Sequence, residues 1–171
     1  MTDTVDHLRR GQSLPNVSLV TTEGAAISLA MLPGRSLVVV YPWTGRPGLP
    51  NPPNWDNIAG AHGSTPELEG FRDHAADFAR LGVVLFGLST QTTDHQRELV
   101  KRLRLPFPIL SDVECVFGDG LRLPSFVTGD ETYLKRLTLL IEDGRIAHLF
   151  YPVPDPALHA DQALSWLKRW S

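Results

Sequence analysis

With 171 residues, 42% of them hydrophobic, the chain is sized for one compact domain, residues 1–171, around a single buried core. A formal net charge of -3 and one short basic cluster, Lys101, Arg102 and Arg104, exclude the basic stripe that would hold nucleic acid. The single cysteine, Cys115, excludes a disulfide within the chain, and no apolar run is long enough for a membrane span. The opening residues lack the apolar stretch of a secretory signal, so a cytoplasmic protein is expected.

Residues 1–13 are polar and read as a loose lead-in. The alternation through Val17, Leu19 and Ile27 predicts a short hairpin turning at Glu23-Gly24. Ser36 to Tyr41 is a short β-branched run without alternation, as in a strand buried on both faces. After Pro42 the composition changes. Residues 43–63 hold Pro47, Pro50, Pro52 and Pro53 with Trp43 and Trp55 and read as a long loop, of which residues 43–60 are expected to form one wall of a site. Leu68, Phe71, Ala75 and Phe78 then recur at helical spacing, predicting one helix closed by Gly82.

Val83–Leu88 reads as a second buried strand. Residues 93–104 read as a helix with Leu99 and Leu103 inward, and Phe107–Leu110 as a short third strand. Leu137–Ile141 and Ile146–Phe150 form two strands joined at Glu142-Asp143-Gly144-Arg145. A last helix runs over about 157–170, with Ala160, Ala163, Leu164 and Leu167 facing in. The order predicts an α/β fold: a central mixed β-sheet flanked by helices, with right-handed parallel crossovers. In such sheets sites form beyond the carboxyl ends of the strands. That rim carries Pro42, the proline-rich loop and the helix start at Ser64.

Around that start the chain reads Ala61-His62-Gly63-Ser64-Thr65-Pro66-Glu67-Leu68-Glu69-Gly70-Phe71-Arg72-Asp73. This resembles the active-site helix of the peroxiredoxins, in their bacterioferritin-comigratory or PrxQ-like branch, where a Gly-Cys-Thr-x-Glu-x-Cys-x-Phe-Arg-Asp pattern occurs. Tyr41-Pro42, the run Leu105–Asp112 and the run Lys135–Ile141 resemble further segments of that branch in the same order. The resemblance implies a thioredoxin-like fold and a thiol-dependent peroxidase. Ser64 then stands at the peroxidatic cysteine, and Glu69 at the resolving cysteine of the two-cysteine version.

On the same resemblance Arg136 is the catalytic arginine beside the reactive group, Pro42 anchors the strand end, and Thr44 orients the peroxide. Ala61 is the other candidate for the family threonine. Gly63, Glu67 and Arg72 support the site, and Cys115 is the one candidate for a resolving thiol. No cofactor or metal is expected; the six histidines show no metal-ligand spacing. The implied partners are a peroxide and a thioredoxin, glutaredoxin or small-thiol reductant, and the resemblance leaves a homodimer open.

The chemistry accounts for these residue types. A thiolate attacks a peroxide oxygen and becomes sulfenic acid. A helix N-terminus and a nearby arginine favour that thiolate. A serine hydroxyl ionises far above physiological pH and lacks the oxidation ladder. Ser64 therefore reads either as an engineered replacement in an inactive peroxidase or as a feature of a natural non-catalytic binding or sensing module. Its plain structural role is a capping box, Ser64-Thr65-Pro66-Glu67. A serine-hydrolase elbow is excluded because Pro66 occupies its last glycine position.

Overall fold

The computed structural model describes residues 4–170. Nine strands and five helices follow one another as β1 (Leu19–Thr21), β2 (Ala26–Ile27), β3 (Arg35–Val40), α1 (Ser64–Asp73), α2 (Ala75–Arg80), β4 (Val83–Ser89) and α3 (Thr93–Leu103), then β5 (Ile109–Ser111), α4 (Val116–Leu121), β6 (Ser125–Thr128), β7 (Glu131–Leu134), β8 (Leu137–Glu142), β9 (Arg145–Phe150) and α5 (His159–Trp170). Seven strands form one mixed sheet in the order β2-β1-β5-β4-β3-β8-β9. Strands β3, β4 and β5 run parallel, while β1 and β8 pair antiparallel on either side of them.

The centre of the sheet follows from β3. Its unbroken apolar run fills both faces. Leu37 and Val39 enter the core under α1, α2, α3 and α5, and Val38 and Val40 enter a second core on the opposite face. Parallel pairing of β3 with β4 over six residues, Arg35 to Val40 against Val83 to Leu88, aligns the carboxyl ends of these strands. The loops after Val40 and Ser89 thus leave from one rim, which is where the site is built.

Two expectations need correction, and one segment holds elements not expected. The helix predicted through Phe78 is two, broken at His74 (φ -103°, ψ 10°), whose ring reaches Asp77 at 3.1 Å and Asp161 of α5 at 2.5 Å. The apolar spacing ran through the break because α1 and α2 face the same core. The lead-in is not loose over residues 4–13. Val5 and Leu8 pack on the second core, and Gly11 donates to the Ile146 carbonyl at 2.7 Å. Residues 1–3 of that lead-in lie outside the described residues. Finally, the hairpin β6–β7, a separate two-stranded sheet, falls in a segment assigned no element from sequence.

Among the described residues no helix is long and apolar enough to cross a membrane, and no group of three or more His, Cys, Asp and Glu is placed to hold a metal ion.

Candidate active site

Strand β3 is followed by buried Tyr41 and Pro42, and the chain turns at once into the long loop. The loop does not stand off the molecule. Trp55, 3% exposed, packs edge-on to Trp43 and Tyr133 and tilted on Phe126, with ring centroids 5.2–5.6 Å apart. Two of these partners belong to the hairpin β6–β7, so the hairpin and the loop share a small aromatic core. Thr128 also donates to the Pro53 carbonyl at 2.5 Å, and Gly129 lies so close to Pro53 that a Cβ there would come within 2.9 Å.

The loop returns through Ala61 and His62 to Gly63, which begins α1. Gly63 has φ 108°, and a Cβ on it would lie 2.8 Å from Pro156 Cγ, so both backbone and space require glycine here. Gly63 is therefore the N-cap and Ser64 the first helical residue. The capping box expected from Ser64 and Glu67 does not form, because Ser64 lies inside the helix with its Oγ unpartnered and Glu67 bonds Arg136 instead. Ser64 is 3% exposed and its Oγ has no hydrogen-bond partner.

Glu67 instead turns into the protein, fully buried, and accepts from Arg136 Nη1 at 2.8 Å. Arg136, just ahead of β8, spends Nη2 on the carbonyls of Gly60 (3.2 Å), Ala61 (3.4 Å) and His62 (3.0 Å). Its buried guanidinium thus holds the turn leading into Ser64, with no bond to Ser64 Oγ itself. Burial pushes the Glu67 carboxyl up to about 7, against the pull of Arg136. Glu67 Oε2 and Arg136 Nε are also buried without a partner.

A cavity of about 240 Å³ opens over the helix start, and Trp43, Thr44, Trp55, Ala61, His62 and Ser64 are in its wall. Thr44 and Ser64, separated by residues 45–63, therefore share one cavity. Ala61 reaches the same wall without a hydroxyl. His62, exposed, pairs with Asp56 at 2.6 Å.

Pro42, Glu67 and Arg136 are not in that wall, and Arg136 lines a separate cavity of about 360 Å³ with Gly60 and Phe126. Two further candidates lie away from both. Arg72 donates to the Leu103 carbonyl at 2.9 Å and to Asp73, tying α1 to the last residue of α3 rather than supporting the cavity. Its place on the outer side of α1 explains this, since Leu68 and Phe71 take the inward face. Cys115 is in left-handed backbone (φ 59°) ahead of α4, half-buried, outside the cavity wall. Burial, then the charges of Asp112, Asp119 and Glu131, push its thiol pKa up.

Sequence reading missed the groups that hold Thr44. Gln91 Oε1 accepts from the Thr44 amide at 3.1 Å and its hydroxyl at 3.3 Å. Gln91 Nε2 donates to the Thr44 carbonyl at 2.9 Å, and His95 Nε2 meets that carbonyl at 2.8 Å. The signal was present, since Thr90-Gln91-Thr92 is a polar run at the carboxyl end of β4, on the rim where sites form.

The family described as Redoxin matches residues 9–164. Peroxiredoxin Bcp of Escherichia coli is 28% identical over 170 residues, covering 94% of this chain and 96% of that protein. The chloroplastic peroxiredoxin Q of Oryza sativa subsp. japonica is 27% identical over 164 residues, and the match spans 93% of this chain but 66% of that longer protein. Among solved structures, peroxidoxin BcpB of Mycobacterium tuberculosis superposes with a TM-score of 0.77 at 22% identity, over 96% of this chain and 99% of that one. A cysteine-to-serine mutant of PrxQ from Xylella fastidiosa does so with a TM-score of 0.77 at 19% identity, over 96% and 98%. The thioredoxin-like fold agrees with these neighbours, and the chain belongs to the redoxin family, among its peroxiredoxins of the Bcp and peroxiredoxin Q kind.

Proposed function

We propose that this is the scaffold of a thiol-dependent peroxidase whose reactive position is residue 64, and that Ser64 leaves the chain without turnover. The observation that carries the reading is the set of buried, unpartnered polar atoms Ser64 Oγ, Glu67 Oε2 and Arg136 Nε, on three residues that meet around one helix start. Folded proteins pair nearly all such atoms, and three of the six found among the described residues belong to these three residues, the others being Tyr41 Oη, Arg46 Nε and Gln96 Oε1.

In the Ser64→Cys form the α1 N-terminus and Arg136 favour a thiolate. The sulfur forms a bond to one hydroperoxide oxygen as the O–O bond breaks. It is thereby oxidised by two electrons to the sulfenic acid, and the leaving hydroxide or alkoxide takes a proton. Two electrons and two protons from thiols then restore it and release water. Arg136 draws the turn of residues 60–62 and Glu67 together, so that the helix start is fixed before substrate arrives. The donor is an external thioredoxin, glutaredoxin or small thiol, with Cys115 as a resolving thiol in the alternative, and the protein acts in the cytoplasm as a monomer or a homodimer.

Steady-state turnover of Ser64→Cys protein with hydrogen peroxide and an organic hydroperoxide, each with a thiol reductant, tests the reading. Turnover is expected, falling about 10²- to 10³-fold on further Arg136→Ala. A folded Ser64→Cys protein without turnover contradicts it. Ser64 itself favours a second reading, a non-catalytic binding or sensing module, which that inactive outcome would support.

A further inference from the structure

We infer that Gln91, assisted by His95, is the positioning residue that holds Thr44 in the cavity and fixes the direction of its hydroxyl. The inference rests on the peroxidase reading above. Residues 45–63 lie between Thr44 and Ser64, and a connection of that length gives little local restraint on Thr44. Some other group must supply it.

Gln91 does so geometrically. Its amide embraces both polar groups of the Thr44 backbone, donating to the carbonyl and accepting from the N–H. A backbone N–H only donates and a carbonyl only accepts, so this amide has one orientation. The same argument places a proton on His95 Nε2, because it faces the Thr44 carbonyl. Gln91 is itself fixed, buried at the carboxyl end of β4. Its N–H donates to Ser89 Oγ at 3.3 Å, and its carbonyl accepts from Ser111 Oγ at 2.6 Å. The clamp therefore hangs from β4 and β5, in the rigid middle of the sheet.

A consequence follows for the hydroxyl. With Gln91 Oε1 pinned toward Thr44, the one hydroxyl proton of Thr44 is committed to it. What Thr44 has left is lone pairs, so it accepts a hydrogen bond in the cavity. A hydroperoxide carries its proton on the terminal oxygen. Thr44 would take that proton's hydrogen bond and hold the terminal oxygen over residue 64, selecting one end of an organic hydroperoxide for attack.

Two measurements test this. In the Ser64 chain, Gln91→Met should raise hydrogen exchange of the Thr44 amide about tenfold or more, with exchange in β3 and β4 unchanged. In the Ser64→Cys background the same change should lower kcat/KM for hydroperoxide about 10- to 100-fold. In Ser64→Cys with Thr44→Val it should cost little more, since the hydroxyl it directs is gone. His95→Ala, at a half-exposed residue, should move both readouts the same way by less, and serves should Gln91→Met fail to fold. An unchanged Thr44 amide, or equal losses in both backgrounds, overturns the inference. An inactive Ser64→Cys parent would overturn the peroxidase reading, and the exchange result would still judge the clamp.

Discussion

Two buried ionisable residues beside the site respond to pH in opposite senses. His159 is 3% exposed, its Nε2 sits 2.8 Å from Thr138 Oγ1, and burial with the nearby Arg136 charge lowers its pKa to about 4. In the unfolded chain it takes a proton near 6.5, so it costs stability as pH falls from about 6.5 to about 4, roughly 3 kcal/mol in all. Glu67, pushed up to about 7, binds its proton earlier in the folded state than in the unfolded one. It therefore adds stability as pH falls from about 7 toward 4.5. Urea denaturation at several pH values should show this in differences from the parent. His159→Gln should become relatively more stable toward pH 4, and Glu67→Gln relatively less stable between pH 7 and 4.5. Parallel profiles for all three proteins would contradict these environments.

At the scale of elements, the loop after β3 and the hairpin β6–β7 stand or fall together. Trp55 is the residue common to both, so Trp55→Ala should destabilise by about 3 kcal/mol and raise exchange in the loop and the hairpin alike. A loss under about 1 kcal/mol, or exchange confined to the loop, would argue against a shared aromatic core.

Legibility followed burial pattern. Strands β3 and β4, buried on both faces, and α3, with Leu99 and Leu103 inward, could be read because one periodicity dominated each. The hairpin β6–β7 could not. Its strands are four residues each and half-buried, although the successive positive φ of Gly129 (58°) and Asp130 (62°) is the geometry a tight hairpin turn demands, and Gly-Asp could have signalled it. Ser64, Glu67 and Arg136 were found through motif resemblance, which carries their identity but not their partners. That Glu67 would turn inward to Arg136 instead of capping α1 depends on β8 arriving opposite the helix, a contact between residues far apart in the chain. Gln91 was missed for the same reason. It acts on Thr44 across two adjacent parallel strands, and their register is a property of the assembled sheet.

For the whole molecule, the sheet brings three things to one rim: the end of β3 with Thr44, the end of β4 with Gln91, and the start of α1 with Ser64. The second face of the sheet and α4, ahead of which Cys115 lies, take no part in the cavity wall. Residue 64 and Cys115 should accordingly differ in reactivity although both are partly or fully buried. The N-terminus of α1 favours an anion at position 64, whereas burial and three carboxylates disfavour one at Cys115. The most direct measurement is the second-order rate of hydrogen peroxide with Ser64→Cys/Cys115→Ala protein, set against the Ser64 parent in which Cys115 is the lone thiol. The account predicts that the thiol at position 64 titrates below its ordinary range and reacts at least about a hundredfold faster than Cys115. Equal rates for the two thiols would contradict it.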